Sequence, residues 1–177
     1  MRYFWLLLLL FFVNSQAYAE NSPWGYSIGP TFKINGCGDG VLATLGGRVN
    51  ASIGYFLFGL GGYGAVAQSD IKFSNTAERV SYSYGGLGVG VRLFPKSFIH
   101  ITNYNTFGVG LLSLKSRRES GIAYNIDPEL NIELDIFSLA RLGTGISYRF
   151  ILTNKVSVPQ RELSGLGWQF YVEFGQL

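Results

Sequence analysis

From Trp24 onward, apolar and polar residues alternate along the chain, and clusters of glycine, proline and polar residues interrupt the alternation. A period of two is the signature of a strand whose faces meet different surroundings. The pattern predicts strands at about 24–35, 41–54, 56–68, 80–94, 98–113, 122–136, 138–152 and 165–176. In the fourth, Leu87, Val89, Val91 and Leu93 share one face, while Tyr84, Gly86, Gly88, Gly90 and Arg92 share the other. In the seventh, Ala140, Leu142, Thr144, Ile146, Tyr148 and Phe150 oppose Arg141, Gly143, Gly145, Ser147 and Arg149. In the first, Trp24, Tyr26, Ile28, Phe32 and Ile34 oppose Ser27, Gly29, Thr31 and Lys33.

The links between these strands alternate in length. Gly54-Tyr55, Pro95-Lys96-Ser97 and Phe137 are tight, whereas 69–79, 114–121 and 153–164 are longer and polar. The first link, Gly36 to Gly40, is short and is read as a turn that contains Cys37. Membrane barrels have short periplasmic turns and longer outer loops, so this rhythm predicts both termini on the periplasmic side.

Composition decides between two architectures with the same alternation. A soluble barrel turns its apolar face inward; a membrane barrel turns it outward. Charged residues are only 14% of the chain, against about 25% in a soluble domain. Glycine, at 24 residues, crowds the polar face, although it weakens strands. A narrow eight-stranded lumen gives those glycines a purpose, because side chains barely fit there. The reading is all-β: an eight-stranded antiparallel up-and-down transmembrane β-barrel. Aromatic residues near strand ends, such as Trp24, Tyr148 and Trp168, suit interfacial girdles.

The first nineteen residues are read as a cleaved signal peptide and 20–177 as the barrel. Arg2, the apolar run Tyr3 to Val13 and the Ala17-Tyr18-Ala19 site supply the three parts of such a signal. The run stops at Asn14, well short of the roughly 20 residues a membrane helix needs. Removing Arg2 leaves 13 basic against 11 acidic residues, a net charge of +2, which gives no basis for nucleic-acid binding. The single cysteine, Cys37, forms no internal disulfide.

The glycine-rich strands Leu45-Gly46-Gly47-Arg48, Phe58 to Gly64, Pro128 to Leu134 and Ala140 to Phe150 carry a resemblance. The chain resembles the small bacterial outer-membrane barrel proteins, including the transmembrane domain of outer-membrane protein A, and a family of uncharacterised barrels. That resemblance implies an outer-membrane address and passage through the barrel insertion machinery. Such barrels usually end in an aromatic residue; here Phe174 precedes Gly175-Gln176-Leu177.

Arg48, Arg92, Arg141 and Arg149, with Glu129, Glu133, Asp135 and Glu173, fall on the predicted inward face. Ions in a low-dielectric lumen are costly unless paired. They therefore read as a salt-bridge plug in a structural or surface protein. The alternative is a narrow channel for ions or small solutes. His100, followed by Thr102, invites a second alternative, a lipid-modifying enzyme like outer-membrane lipid A deacylase. Threonine stands where serine is needed, and no acid is evident in the matching position. One histidine and one cysteine supply no metal cluster, and no cofactor is expected. Gly86-x-Gly88-x-Gly90 lies mid-strand, outside any phosphate-loop context, and Asn50-Ala51-Ser52 lies within a strand. Lys115, Arg117, Arg118, Lys155 and Arg161 in the loops are candidates for contacts with lipopolysaccharide phosphates. The remaining expected partners are outer-membrane lipid and a monomeric state.

Overall fold

The structure, a computed structural model, describes residues 24–66, 70–73, 76–115, 117–153 and 156–176. The proposed signal peptide lies outside these residues. The elements are β1 (Trp24–Cys37), β2 (Gly40–Ile53), β3 (Phe56–Ala65), β4 (Asp70–Phe73), β5 (Thr76–Leu93), β6 (Ile99–Leu114), β7 (Glu119–Phe137), β8 (Ala140–Leu152), the single helical turn α1 (Gln160–Leu163) and β9 (Gly165–Gln176).

Each strand pairs antiparallel with its neighbour, and two further seams close the sheet. β3 pairs with β5 from Phe56–Val91 to Gly64–Ser83. β1 pairs with β9 from Tyr26–Gln176 to Asn35–Gly167. Eight strands thus make a closed barrel without an open edge, the form in which backbone groups are satisfied between strands. β4 stands outside the count: it pairs only with the start of β5, as a hairpin projecting beyond the barrel.

The links differ from expectation where pairing continues past the barrel wall. The stretch 69–79 is largely the β4–β5 hairpin rather than an open loop. The stretch 114–121 shrinks to a turn, because β6 and β7 stay paired as far as Leu114–Glu119. Cys37 is the last residue of β1, 2% exposed, and not a turn residue; the turn is Gly38-Asp39. The β7–β8 link is Ser138-Leu139 rather than Phe137. Backbone hydrogen bonding drives each change, since an unpaired strand end leaves donors and acceptors to water.

Side chains divide by parity. Leu111 and Leu166 on the outer surface are each 65% exposed, and Leu60 is 61%. On the inner surface Lys33, His100, Asp127, Asn131 and Gln169 are each 0% exposed. The barrel is apolar outside and polar within, which excludes the soluble arrangement with a dry apolar centre. At the loop end the interior turns apolar. Leu42, Tyr82, Leu112 and Ile151 from the strands meet Ile71 of β4, Leu163 of α1 and Val158 just before it.

Candidate functional site

The lumen side chains form connected layers. At the turn end, Arg92 Nε donates to Glu133 Oε2 at 3.0 Å and Tyr171 donates its hydroxyl to Glu133 Oε1 at 2.6 Å. Arg141 Nε bonds Asp135 Oδ1 at 2.5 Å, and its Nη1 lies 3.5 Å from Glu133. Asp135 and Arg141 are direct register partners on β7 and β8, which is why acid and base meet there.

One layer further in, Arg48 Nε donates to Glu173 Oε1 at 2.7 Å, with Asn50 and Ser27 donating to the same carboxylate. The Arg48 guanidinium lies over the Tyr171 ring, 3.7 Å from its centroid, a cation–π contact in a desolvated setting. Glu129 is the hub: it accepts from Lys33 at 2.5 Å, Gln169 at 2.7 Å and Arg48 at 3.4 Å.

Toward the loop end, Lys33 also bonds Asp127 at 2.9 Å, and Tyr84 donates to the same oxygen at 3.2 Å. Arg149 stands 3.8 Å from Asp127 and donates to the Tyr84 hydroxyl. Tyr63, Tyr84 and Tyr82 stack in sequence at 4.8 and 5.3 Å, forming an aromatic step beneath the apolar cap.

All eight charged residues singled out in the sequence face the lumen and join this web. Lys33 and Asp127 complete it. Both were legible by parity: Lys33 lies on the inward face of the first predicted strand, and Asp127 stands two residues before Glu129 on the inward face of the sixth. The completed set is Lys33, Arg48, Arg92, Arg141 and Arg149 against Asp127, Glu129, Glu133, Asp135 and Glu173. The charges cancel, which is how ions become tolerable at low dielectric.

Glycines make this crowding possible. Tyr171 reaches Glu133 by crossing Gly143, where a Cβ would sit 2.0 Å from the ring. Tyr104 reaches Asn50 by crossing Gly59 and Gly88, where added Cβ atoms would lie 2.3 and 1.9 Å from its hydroxyl.

His100 faces the lumen, as the sequence indicates, but the expected lack of an acid is corrected. Asp135 Oδ2 lies 2.8 Å from His100 Nε2, and Arg141 Nη2 lies 3.2 Å from the same nitrogen. Nδ1 is 2.9 Å from the Phe94 carbonyl, which can only accept, so Nδ1 is the donor there. Both ring nitrogens are therefore occupied, and the ring is fully buried. The Phe94 carbonyl also accepts from Ser97 N at 2.9 Å. Together these bonds hold Phe94 at a φ of 56°, a conformation non-glycine residues rarely adopt.

At the loop end, Arg117 Nε donates to Glu78 at 2.7 Å and its Nη1 to Ser157 at 2.8 Å. Ser157 in turn donates from its backbone N–H and hydroxyl to Glu119. Arg117 is thus engaged within the protein, while Lys115, Arg118 and Arg161 are exposed at the same end. Lys155 lies outside the described residues. The Ser157 N–H, and after it the Ser157 hydroxyl, hold the Glu119 carboxyl below its ordinary value of 4.5. Among the described residues no group of three metal-ligating side chains occurs.

The chain is similar in structure to Neisserial surface protein A, with a TM-score of 0.60 at 10% sequence identity. The match covers 88% of this chain and 98% of that one. What the two share is a fold. That fold is the closed eight-stranded up-and-down barrel. No family pattern and no curated sequence matches the chain.

Proposed function

We propose that this chain is an integral barrel of a bacterial outer membrane, with a closed lumen and a structural or surface-contact role. The carrying observation is the inversion of polarity: large apolar side chains project outward all around the barrel, and ten paired charges fill its inside. Soluble monomers rarely expose apolar patches beyond a few hundred Å². Closed barrels are the one strand-based structure whose backbone tolerates hydrocarbon.

The lumen supports the closed reading over a channel. A conducting path would have to cross the Glu129 and Glu133 layers and then the apolar cap of Ile71, Val158 and Leu163. The exposed cations Lys115, Arg118 and Arg161 suit contact with the phosphates of outer-leaflet lipopolysaccharide, because they lie at the loop end.

The test is fractionation and electrophysiology on the mature protein. Detergent-dependent extraction, heat-modifiable migration and silence in planar bilayers are the expected results. A monomer that stays soluble in plain buffer overturns the membrane reading. Stepwise conductance overturns the closed lumen alone.

A further inference from the structure

The outer face of β6 breaks the apolar rule twice. Asn103 and Asn105 both point outward, between Ile101 and Phe107 on their own strand. Their register neighbours are Val91 and Leu130 for Asn103, and Val89 and Pro128 for Asn105. These amides therefore lie inside the apolar band and not at its rim.

Their hydrogen bonds are incomplete. Asn105 Nδ2 donates to Asn103 Oδ1 at 2.9 Å, and Asn103 Nδ2 approaches the Glu129 carbonyl at 3.4 Å. An amide offers two N–H groups and one carbonyl. Among the described residues, one N–H on each amide and the Asn105 carbonyl are left facing out. Thr144, the outward hydroxyl of β8, shows the contrast: it donates to the Gln169 carbonyl at 3.0 Å and needs nothing from outside.

A second feature lies on the same side of the barrel. Gly47, Gly62 and Gly85 are level in the register of β2, β3 and β5 and face outward. Beside them is a shallow depression, wide open to the surroundings, lined by Val49, Leu60 and Leu87 as well as glycine. Small residues let membrane segments approach closely, and polar side chains then bond across the gap.

We propose that this face, from the glycine depression to the Asn103–Asn105 pair, is an interface occupied by a second copy of this chain. The proposal rests on the membrane reading above. An acyl chain can fill the depression but offers no hydrogen bond to the amides. An amide is both donor and acceptor, so identical amides complete one another. A twofold axis along the membrane normal keeps both copies upright and sets the two amide pairs at the same depth. Such an interface is self-complementary.

The experiment uses the mature chain with Cys37→Ala and Lys96→Cys, labelled with donor or acceptor dye and mixed into phospholipid vesicles. Energy transfer above the random-mixing level is expected. Asn103→Leu with Asn105→Leu should lower the dimer constant about tenfold or more, as loss of a few interchain hydrogen bonds in a membrane implies. Thr144→Val should leave the transfer unchanged. Heat-modifiable migration of every variant checks the folded membrane barrel separately, so its failure sinks the membrane reading and not this one. Transfer at the random level, transfer undiminished by the double substitution, or transfer that appears only when another envelope protein is added each overturns the proposal.

Discussion

Arg48 on β2 reaches over Gly29 on β1 to bond Glu173 on β9, Nε to Oε1 at 2.7 Å. Gly29 is the register partner of Arg48, and a Cβ there would lie 1.7 Å from the Val172 carbonyl oxygen and 2.9 Å from the Glu173 Cα. Backbone cannot yield as a flexible side chain can. Gly29→Ala should therefore destabilise the barrel by about 1–3 kcal/mol or more, the usual range for overpacking. Urea unfolding of the refolded barrel in detergent checks it, and an unchanged midpoint would show that the seam tolerates a methyl group.

Two-residue alternation was enough to read the barrel and its inward ions, because parity alone assigns each side chain to a face. Arg92, Arg141 and Glu173 needed nothing more. Contacts between distant strands were not legible in that way. Lys33 and Glu129 meet only because the sheet closes and brings β1 near β7 across the lumen. The loop ends were misjudged for a related reason. Polar composition at 114–121 resembles a loop, yet Ser113–Ser120 and Leu114–Glu119 still pair, since extending a ladder satisfies backbone groups whatever the side chains are. The acid beside His100 was hidden because Asp135 sits on β7, paired with Phe98 and Arg141 rather than with a sequence neighbour.

Glu129 holds the centre of the network, so its loss strands the most charge. Glu129→Ala leaves Lys33 with Asp127 as its one carboxylate partner and removes one of the two acceptors of Gln169, the other being Asn131. Breaking a buried pair from one side costs about 3–5 kcal/mol. The double change Lys33→Met with Glu129→Gln removes both charges and should recover part of that loss. Denaturation midpoints of the single and double variants decide the matter: equal loss in both would mean that charge pairing contributes little.

The apolar cap makes Cys37 a reporter of the loop-end seal. Its thiol is 2% exposed and packs in the cluster with Ile71 and Leu163. Gly38 N donates to the Glu162 carbonyl and Asp39 N to the Lys72 carbonyl, which ties the β1–β2 turn to both covering segments. A bulky maleimide should leave Cys37 unlabelled until the barrel unfolds. Leu163→Ala opens a gap above it and should raise the labelling rate severalfold without unfolding. Prompt labelling of the parent protein would mean that no seal exists.

Acid should loosen the clasp between the β6–β7 turn and the segment before α1. Ser157, first through its backbone N–H and then through its hydroxyl, stabilises the ionised Glu119 carboxylate and lowers its titration below the ordinary value. A depressed carboxyl contributes above its unfolded titration point, and the contribution fades as pH falls through the lower, folded one. The Ser157 amide resonance should therefore titrate with a midpoint below 4.5. Glu119→Gln should abolish that titration. A midpoint at or above the ordinary value would show that the clasp is absent in solution.

His100 is best understood as a brace for the β5–β6 turn, and its removal separates that role from chemistry on lipids. Nδ1 secures the Phe94 carbonyl and Nε2 faces Asp135, so no ring nitrogen is left to activate the nearby Thr102 hydroxyl. His100→Ala frees a strained Phe94 and leaves polar partners buried, a loss of about 1–3 kcal/mol. Thermal unfolding of the refolded protein should register that loss. Mass spectrometry of lipopolysaccharide and phospholipid incubated with the parent and the variant should give the same acyl profiles. Deacylated lipid formed by the parent and missing with His100→Ala would make the histidine catalytic and the brace secondary.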